Sequence, residues 1–215
     1  MLTIKCFMVN PIQENTYIIH DETGEAVIID CGSFYQEEHQ ALLRYLKENQ
    51  LKPVHLLCTH GHLDHCFGNI VMYHEFGLKP EVMAEDEYLI TKLDEQAANL
   101  FGFQLQDDIP TVGKYLTKDD VITFGTHQFT IIPTPGHTPG SCVYYCEEEK
   151  VAFTGDTLFH LSIGRTDFER GSFSDMMKSL QTLKQLLPAE TAIYSGHGPK
   201  TTMNVELQGN MYFRA

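Results

Sequence analysis

The stretch that most constrains this chain is His60-Gly61-His62-Leu63-Asp64-His65, which puts three imidazoles and a carboxylate into six residues. It follows an apolar run over 54–58 that reads as a buried strand, so the cluster stands at a strand's C-terminal end, where α/β sheets bind ligands. With 11 His in 215 residues, such a pattern arises by chance on the order of once in a thousand chains of this composition, and it is read as a metal site.

Three later strand ends carry the same chemistry. Pro135-Gly136-His137, Thr154-Gly155-Asp156 and Ser195-Gly196-His197 each set a glycine directly before a metal-capable side chain. Glycine lets the backbone turn tightly and brings the next side chain close to a shared centre. The candidate ligands are then His60, His62, Asp64, His65, His137, Asp156 and His197, five imidazoles and two carboxylates. Seven exceeds one tetrahedral zinc site and suits two ions, each with three protein ligands, if one carboxylate bridges. A nitrogen and oxygen set without thiolate fits Zn, Fe or Mn, because affinity alone does not separate them. Two divalent ions, Zn first, are the expected cofactors.

The surrounding pattern predicts a three-strand meander over 4–9, 16–19 and 26–29, then an amphipathic helix over 37–47. Asp30 and Gly32 end the third strand in a loop of the kind that supports a site, although Asp30 also suits a helix cap. Helices are expected over 66–76 and 86–100, and a strand over 81–84. Between 101 and 115, Phe101, Phe103, Ile109, Pro110, Val112 and Tyr115 suit either a loop over a pocket or a satellite core. The second half repeats the rhythm, with strands over 121–124, 128–132, 142–146, 151–154 and 191–194 and a helix over 173–187. Strands followed by helices in both halves suggest two packed sheets with helices outside, a four-layer αββα sandwich in a single domain over 1–215.

The order His60-x-His62-x-Asp64-His65, then His137, Asp156 and His197, resembles the metallo-β-lactamase superfamily over nearly the whole chain. The resemblance implies the αββα fold. It also implies that His60, His62 and His137 hold one metal, that Asp64, His65 and His197 hold the other, and that Asp156 bridges. Leu158-Phe159, the run from Ser162 to Phe168 and Asn210-Met211-Tyr212-Phe213 further resemble the short, single-domain glyoxalase II type, the hydroxyacylglutathione hydrolases. The long glyoxalase II enzymes add a C-terminal helical domain with basic residues for glutathione, and this chain stops before one. Arg165-Thr166-Asp167-Phe168 is also similar to the iron-dependent persulfide dioxygenases of the superfamily, which share the ligand positions.

The expected reaction is hydrolysis of a small-molecule thioester such as S-lactoylglutathione. Two cations close together lower the pKa of a shared water from about 15.7 to about 7, giving a bridging hydroxide without a dedicated base. Asp64 is the expected catalytic residue, orienting that hydroxide as well as ligating. Arg165 and Phe168 are the expected substrate contacts, Arg165 because its fork can grip a carboxylate or else pair with Asp167 or Glu169. His160, four residues after Asp156, is a further candidate for the pocket, and Thr59 for holding the motif loop. A metal-binding module without catalysis is the remaining class, disfavoured because structural zinc sites are closed and thiolate-rich.

A formal charge of -14 disfavours nucleic acid and anionic membrane surfaces. There is no signal-like N-terminus and no long apolar span, so a cytoplasmic location is expected. The six cysteines lack a CxxC pair and read as reduced core residues, with Cys66 placed to support the metal motif.

Overall fold

The computed structural model describes residues 1–105 and 110–214, so Ile109 lies outside the described residues. The first half contributes β1 (Thr3–Val9), β2 (Glu14–His20), β3 (Glu25–Ile29), α1 (Gln36–Glu48), β4 (Lys52–Leu57), α2 (Asn69–Phe76), β5 (Glu81–Met83), α3 (Glu87–Ile90), α4 (Leu93–Gln96) and β6 (Lys114–Leu116). Its six strands form one sheet in the order β1-β2-β3-β4-β5-β6, antiparallel through the opening meander and parallel from β3 onward. The second half contributes β7 (Val121–Phe124), β8 (His127–Pro133), β9 (Cys142–Cys146), β10 (Val151–Gly155), β11 (Leu158–Phe159), β12 (Ser162–Ile163), α5 (Phe173–Leu186), β13 (Ala192–Ser195), β14 (Thr201–Thr202) and α6 (Met203–Gly209). Its main sheet runs β14-β13-β10-β9-β8-β7, and β11 pairs with β12 as a separate hairpin.

Alternation along the strands explains the layers. Tyr17, Ile19, Val27, Ile29 and Leu57 of the first sheet meet Phe124, Phe129, Tyr144 and Phe153 of the second in one inner core. The intervening residues Ile18, Ile28 and Leu56 face outward against Leu42 and Leu46 of α1 and Met72 of α2. On the other outer side, Val143, Ala152 and Ile193 pack against Leu180 and Leu183 of α5. Each fully buried Leu or Ile contributes about 1.5–3 kcal/mol, so both helical layers are held by burial rather than by helix propensity. The result is the expected αββα sandwich. No helix among the described residues is long and apolar enough to cross a membrane.

Two local expectations change. The single helix over 86–100 is instead α3, α4 and a wide turn over Ala97–Phe101. The break leaves Gln96 buried, where its amide donates to the Gly61 and Leu89 carbonyls and its oxygen accepts from the Leu63 amide. The helix expected from 66 begins at Asn69, because a 3-10 turn over Leu63–His65 uses the preceding residues to aim the motif. Of the described residues after 100, Phe101, Phe103 and Val112 pack as a satellite core against the cluster of Cys58, Leu63 and Phe67, and Phe101 also borders the cleft described below. Five cysteines are buried as expected and free, whereas Cys6 is exposed on β1.

Candidate metal centre

The candidate ligands all stand just beyond C-terminal strand ends, at one rim where the two sheets meet. β4 leads into Thr59 and His60, β8 into His137, β10 into Asp156 and β13 into His197. Two of the preceding glycines are required by space and backbone. A Cβ on Gly196 would lie 2.4 Å from Asp156 Oδ1 and 2.6 Å from His65 Cε1. Gly155 has a φ of +47°, and a Cβ there would meet Thr59 Oγ1 at 2.1 Å.

The seven side chains converge as two groups. Ligand atoms of His60, His62 and His137 all lie within 4.8 Å of one another, as do those of Asp64, His65 and His197. His62 Nδ1 is 2.9 Å from His137 Nε2. Asp64 Oδ2 is 3.2 Å from His197 Nε2 and 3.3 Å from His65 Nε2. Asp156 stands between the groups: Oδ1 is 3.4 Å from His65 Nε2, and Oδ2 is 3.5 Å from His137 Nε2 and 3.8 Å from His197 Nε2.

Hydrogen bonds on the far sides of the rings decide which nitrogen faces inward. His137 Nδ1 donates to the Arg165 carbonyl at 2.7 Å, so its Nε2 carries the lone pair when the ring is neutral. His65 Nδ1 donates to Asp30 Oδ2 at 3.0 Å, with the same consequence. Thr59 Oγ1 donates to Asp30 Oδ2 at 2.7 Å and lies 3.1 Å from His60 Nδ1, leaving Nε2 of His60 inward as well. Asp30 also accepts from the Thr59 amide at 2.7 Å. It lies in a third cluster with His60 and His65, but its oxygens are engaged in holding them. Such outer carboxylates orient metal-binding rings and raise their basicity.

The donor set fits divalent cations. Among the described residues, His60 Nε2, His65 Nε2 and Asp156 Oδ1 are buried without a hydrogen-bond partner, as inward lone pairs reserved for an ion are. Burial and the neighbouring imidazoles hold His60 below its ordinary pKa and bring His62 down to about 3, so both are neutral donors. Burial opposes ionisation of Asp156, yet His65 and His137 bring it down to about 2. Asp64 is likewise held well below the carboxylate range by His65 and His197 against burial. Burial opposes charge on His65 too, but Asp64, Asp156 and Asp30 outweigh it and raise its pKa. The carboxylates therefore create a field that favours positive charge at this rim.

A cleft of about 510 Å³ opens over the centre. Phe168 forms one wall, its ring centroid 5.0 Å from that of His62 and 5.9 Å from that of His137. Arg165 lines the cleft, its Nε and Nη2 donating to Asp167 at 2.6 and 2.7 Å, and its guanidinium lies 4.2 Å from the Phe168 centroid. His160 is exposed on the β11–β12 hairpin and does not line the cleft; its neighbour Phe159 does. Cys66 faces Cys58, Sγ to Sγ 3.9 Å, inside the satellite core.

Several positioning residues escape a sequence reading. Asp86, an ordinary first-turn acid by pattern, is fully buried and accepts from the Gly61 amide at 2.9 Å, Thr138 Oγ1 at 2.7 Å and the Gly140 amide at 2.7 Å. It ties the loop of His62 to the loop of His137. Burial pushes its carboxyl up, and the three donors oppose that. Asn10 Nδ2 donates to the Asp64 carbonyl at 2.9 Å, and Asn15 Nδ2 to the Ser195 and Gly198 carbonyls at 3.1 and 2.9 Å. Glu14 is fully buried 3.8 Å from His65 Nδ1, and burial holds its carboxyl well above the usual range. The one available sequence signal was polar residues at the start of an otherwise apolar strand.

Residues 9–197 match the family model of the metallo-beta-lactamase superfamily, and the chain belongs to that superfamily of metallo-hydrolases. Among curated relatives, the hydroxyacylglutathione hydrolase GloC of Haemophilus influenzae is 34% identical over 215 residues, covering 100% of this chain and 99% of the relative. Among solved structures, the BLEG-1 B3 metallo-beta-lactamase superposes with a TM-score of 0.88 at 33% identity, covering 99% of this chain and 100% of that one. TTHA1623, solved in a di-iron-bound form, superposes with a TM-score of 0.84 at 31% identity, covering 97% and 99%.

Proposed function

We propose that this protein is a dinuclear metal-dependent thioester hydrolase acting on substrates of the S-lactoylglutathione class. The observation that carries the reading is Asp156 standing between two three-residue groups, within 3.4 Å of His65 and 3.5 Å of His137. The relationship to a hydroxyacylglutathione hydrolase over the full chain supports the choice of thioester. His60, His62 and His137 would hold one ion and Asp64, His65 and His197 the other, with Asp156 shared. Zn is the first expectation, and the nitrogen and oxygen donors also suit Fe or Mn. Bound there, the ions supply Lewis acidity and acidify water at neutral pH.

The chain's own residues do the rest. Asp30, Thr59 and the Arg165 carbonyl fix the rings, so no reorganisation is needed as charge develops. Asp64 orients the attacking water toward the thioester carbonyl. Phe168, with Arg165 stacked on it, is the wall against which the substrate lies. The leaving group needs no acid, because a thiol pKa of about 8.5 makes a thiolate an adequate leaving group.

The test is metal analysis of the purified protein with turnover of S-lactoylglutathione. Two ions per chain and thiol release are expected. One iron per chain with oxygen uptake on glutathione persulfide would establish a dioxygenase instead. Hydrolysis of a β-lactam without thioester turnover would overturn the substrate assignment, and a metal-loaded protein inert to all three would be a binding module.

A further inference from the structure

We propose, resting on the thioester reading, that the cleft selects thioesters with an uncharged, apolar acyl chain, which lies across Phe168 toward Leu100. Ile12, Leu100, Phe101, Phe159 and Phe168 surround the metal-facing side chains. Of these, Ile12 is 46% and Leu100 55% exposed, so apolar surface stands open to solvent at the mouth of the cleft. Apolar surface grouped around a reactive centre marks a binding site rather than scattered exposure.

The charge pattern points the same way. Arg165 is the only Lys or Arg lining the cleft among the described residues, and its Nε and Nη2 edge is already paired with Asp167. A second groove of about 180 Å³ shares His62, Leu100 and Phe168 with the cleft and adds Tyr88 and Leu89, with Gln96 and Asn99 on its polar side. Its one cation, Lys92, faces Glu95 at 3.8 Å, and Glu169 also lines it. Arg170, beside it, stacks on Tyr88 at 4.4 Å. Away from the metal centre itself, the one Lys or Arg lining each cavity among the described residues faces a carboxylate, Arg165 that of Asp167 and Lys92 that of Glu95, and the net charge of -14 opposes an anionic substituent at long range. Biological thiol carriers are polar, so the apolar part of a thioester is its acyl chain. The chain therefore lies along the apolar surface that Phe168 and Leu100 present to both cavities.

The test is a series of N-acetylcysteamine thioesters, acetyl through hexanoyl, with the metal-loaded protein. Each methylene is expected to raise kcat/KM about two- to fourfold, the share of full burial that a partly open groove provides. Leu100→Asn, at an exposed position, is expected to flatten that dependence. The uncleavable S-(2-oxoalkyl) analogues, titrated calorimetrically, are expected to bind more tightly by the same factor, with heat capacity growing more negative along the series. Turnover that is flat or falls with chain length overturns the inference and leaves the thioester reading standing. Absence of turnover on every thioester, with binding still rising along the analogues, sinks the reading and keeps the apolar groove. Loss of both trends overturns both.

Discussion

Asp30 and His65 are joined at the base of the metal centre, carboxylate Oδ2 to Nδ1 at 3.0 Å, and the same carboxylate holds Thr59 by its amide and hydroxyl. One buried acid thus orients rings from both ligand groups. Asp30→Asn turns an acceptor into a donor opposite His65 Nδ1 and drives the ring toward the wrong tautomer. The expected result is a roughly 10- to 100-fold loss of metal affinity, read by competition with a chromogenic chelator. Unaltered affinity would remove Asp30 from the site.

Asp86→Ala leaves the amides of Gly61 and Gly140 and the Thr138 hydroxyl without their acceptor in a buried position. Unsatisfied buried donors cost about 1–3 kcal/mol each, and partial relaxation makes about 3 kcal/mol in total a reasonable expectation. For a chain of this size that lowers Tm by roughly 6–12 °C. Thermal unfolding of the metal-loaded variant checks it.

The two ligand groups separate under mutation. His137→Ala should release one ion and His197→Ala the other, each variant keeping close to one equivalent by elemental analysis. Asp156→Asn should weaken both, because its oxygens face His65 and His197 of one group and His137 of the other. Full loss of both ions in His197→Ala alone would contradict the division.

Arg165→Ala should raise KM several-fold while leaving metal content unchanged. The side chain covers Phe168, whereas His137 is held by the Arg165 backbone carbonyl, which the substitution retains. An unaltered KM would take the side chain out of the substrate wall.

His55 links the sheets, its Nδ1 2.6 Å from Glu81 Oε1 and its Nε2 3.2 Å from the Thr123 carbonyl. Burial opposes its protonation, but the Glu81 bond outweighs that and raises its pKa. With the folded pKa above the unfolded value near 6.5, the stabilisation is fully present below about pH 6.5 and lost as pH rises through the folded pKa. The stability difference between the parent and His55→Gln should therefore shrink as pH rises above about 6.5 in urea melts.

The sequence by itself picked out the candidate ligands. A metal needs particular donor types, the motif His60 to His65 is contiguous, and each remaining ligand follows a glycine at a strand end, so the chemistry is written locally. It also suggested the four layers, from strands followed by helices in both halves, whereas the packing decided that Tyr17 and Ile19 face the inner core and Ile18 the outer one. Only the tertiary structure decided what holds the ligands still. Asp86 is an unremarkable helix-start acid until folding brings Gly61, Thr138 and Gly140 to it, and Gln96 reads as one more helical residue until the break in its helix turns it into the motif loop. Arg165 offered two partners by sequence, and the fold gave its fork to Asp167. Donor identity is a property of a residue, whereas burial and hydrogen-bond partnership are properties of a neighbourhood assembled from distant parts of the chain.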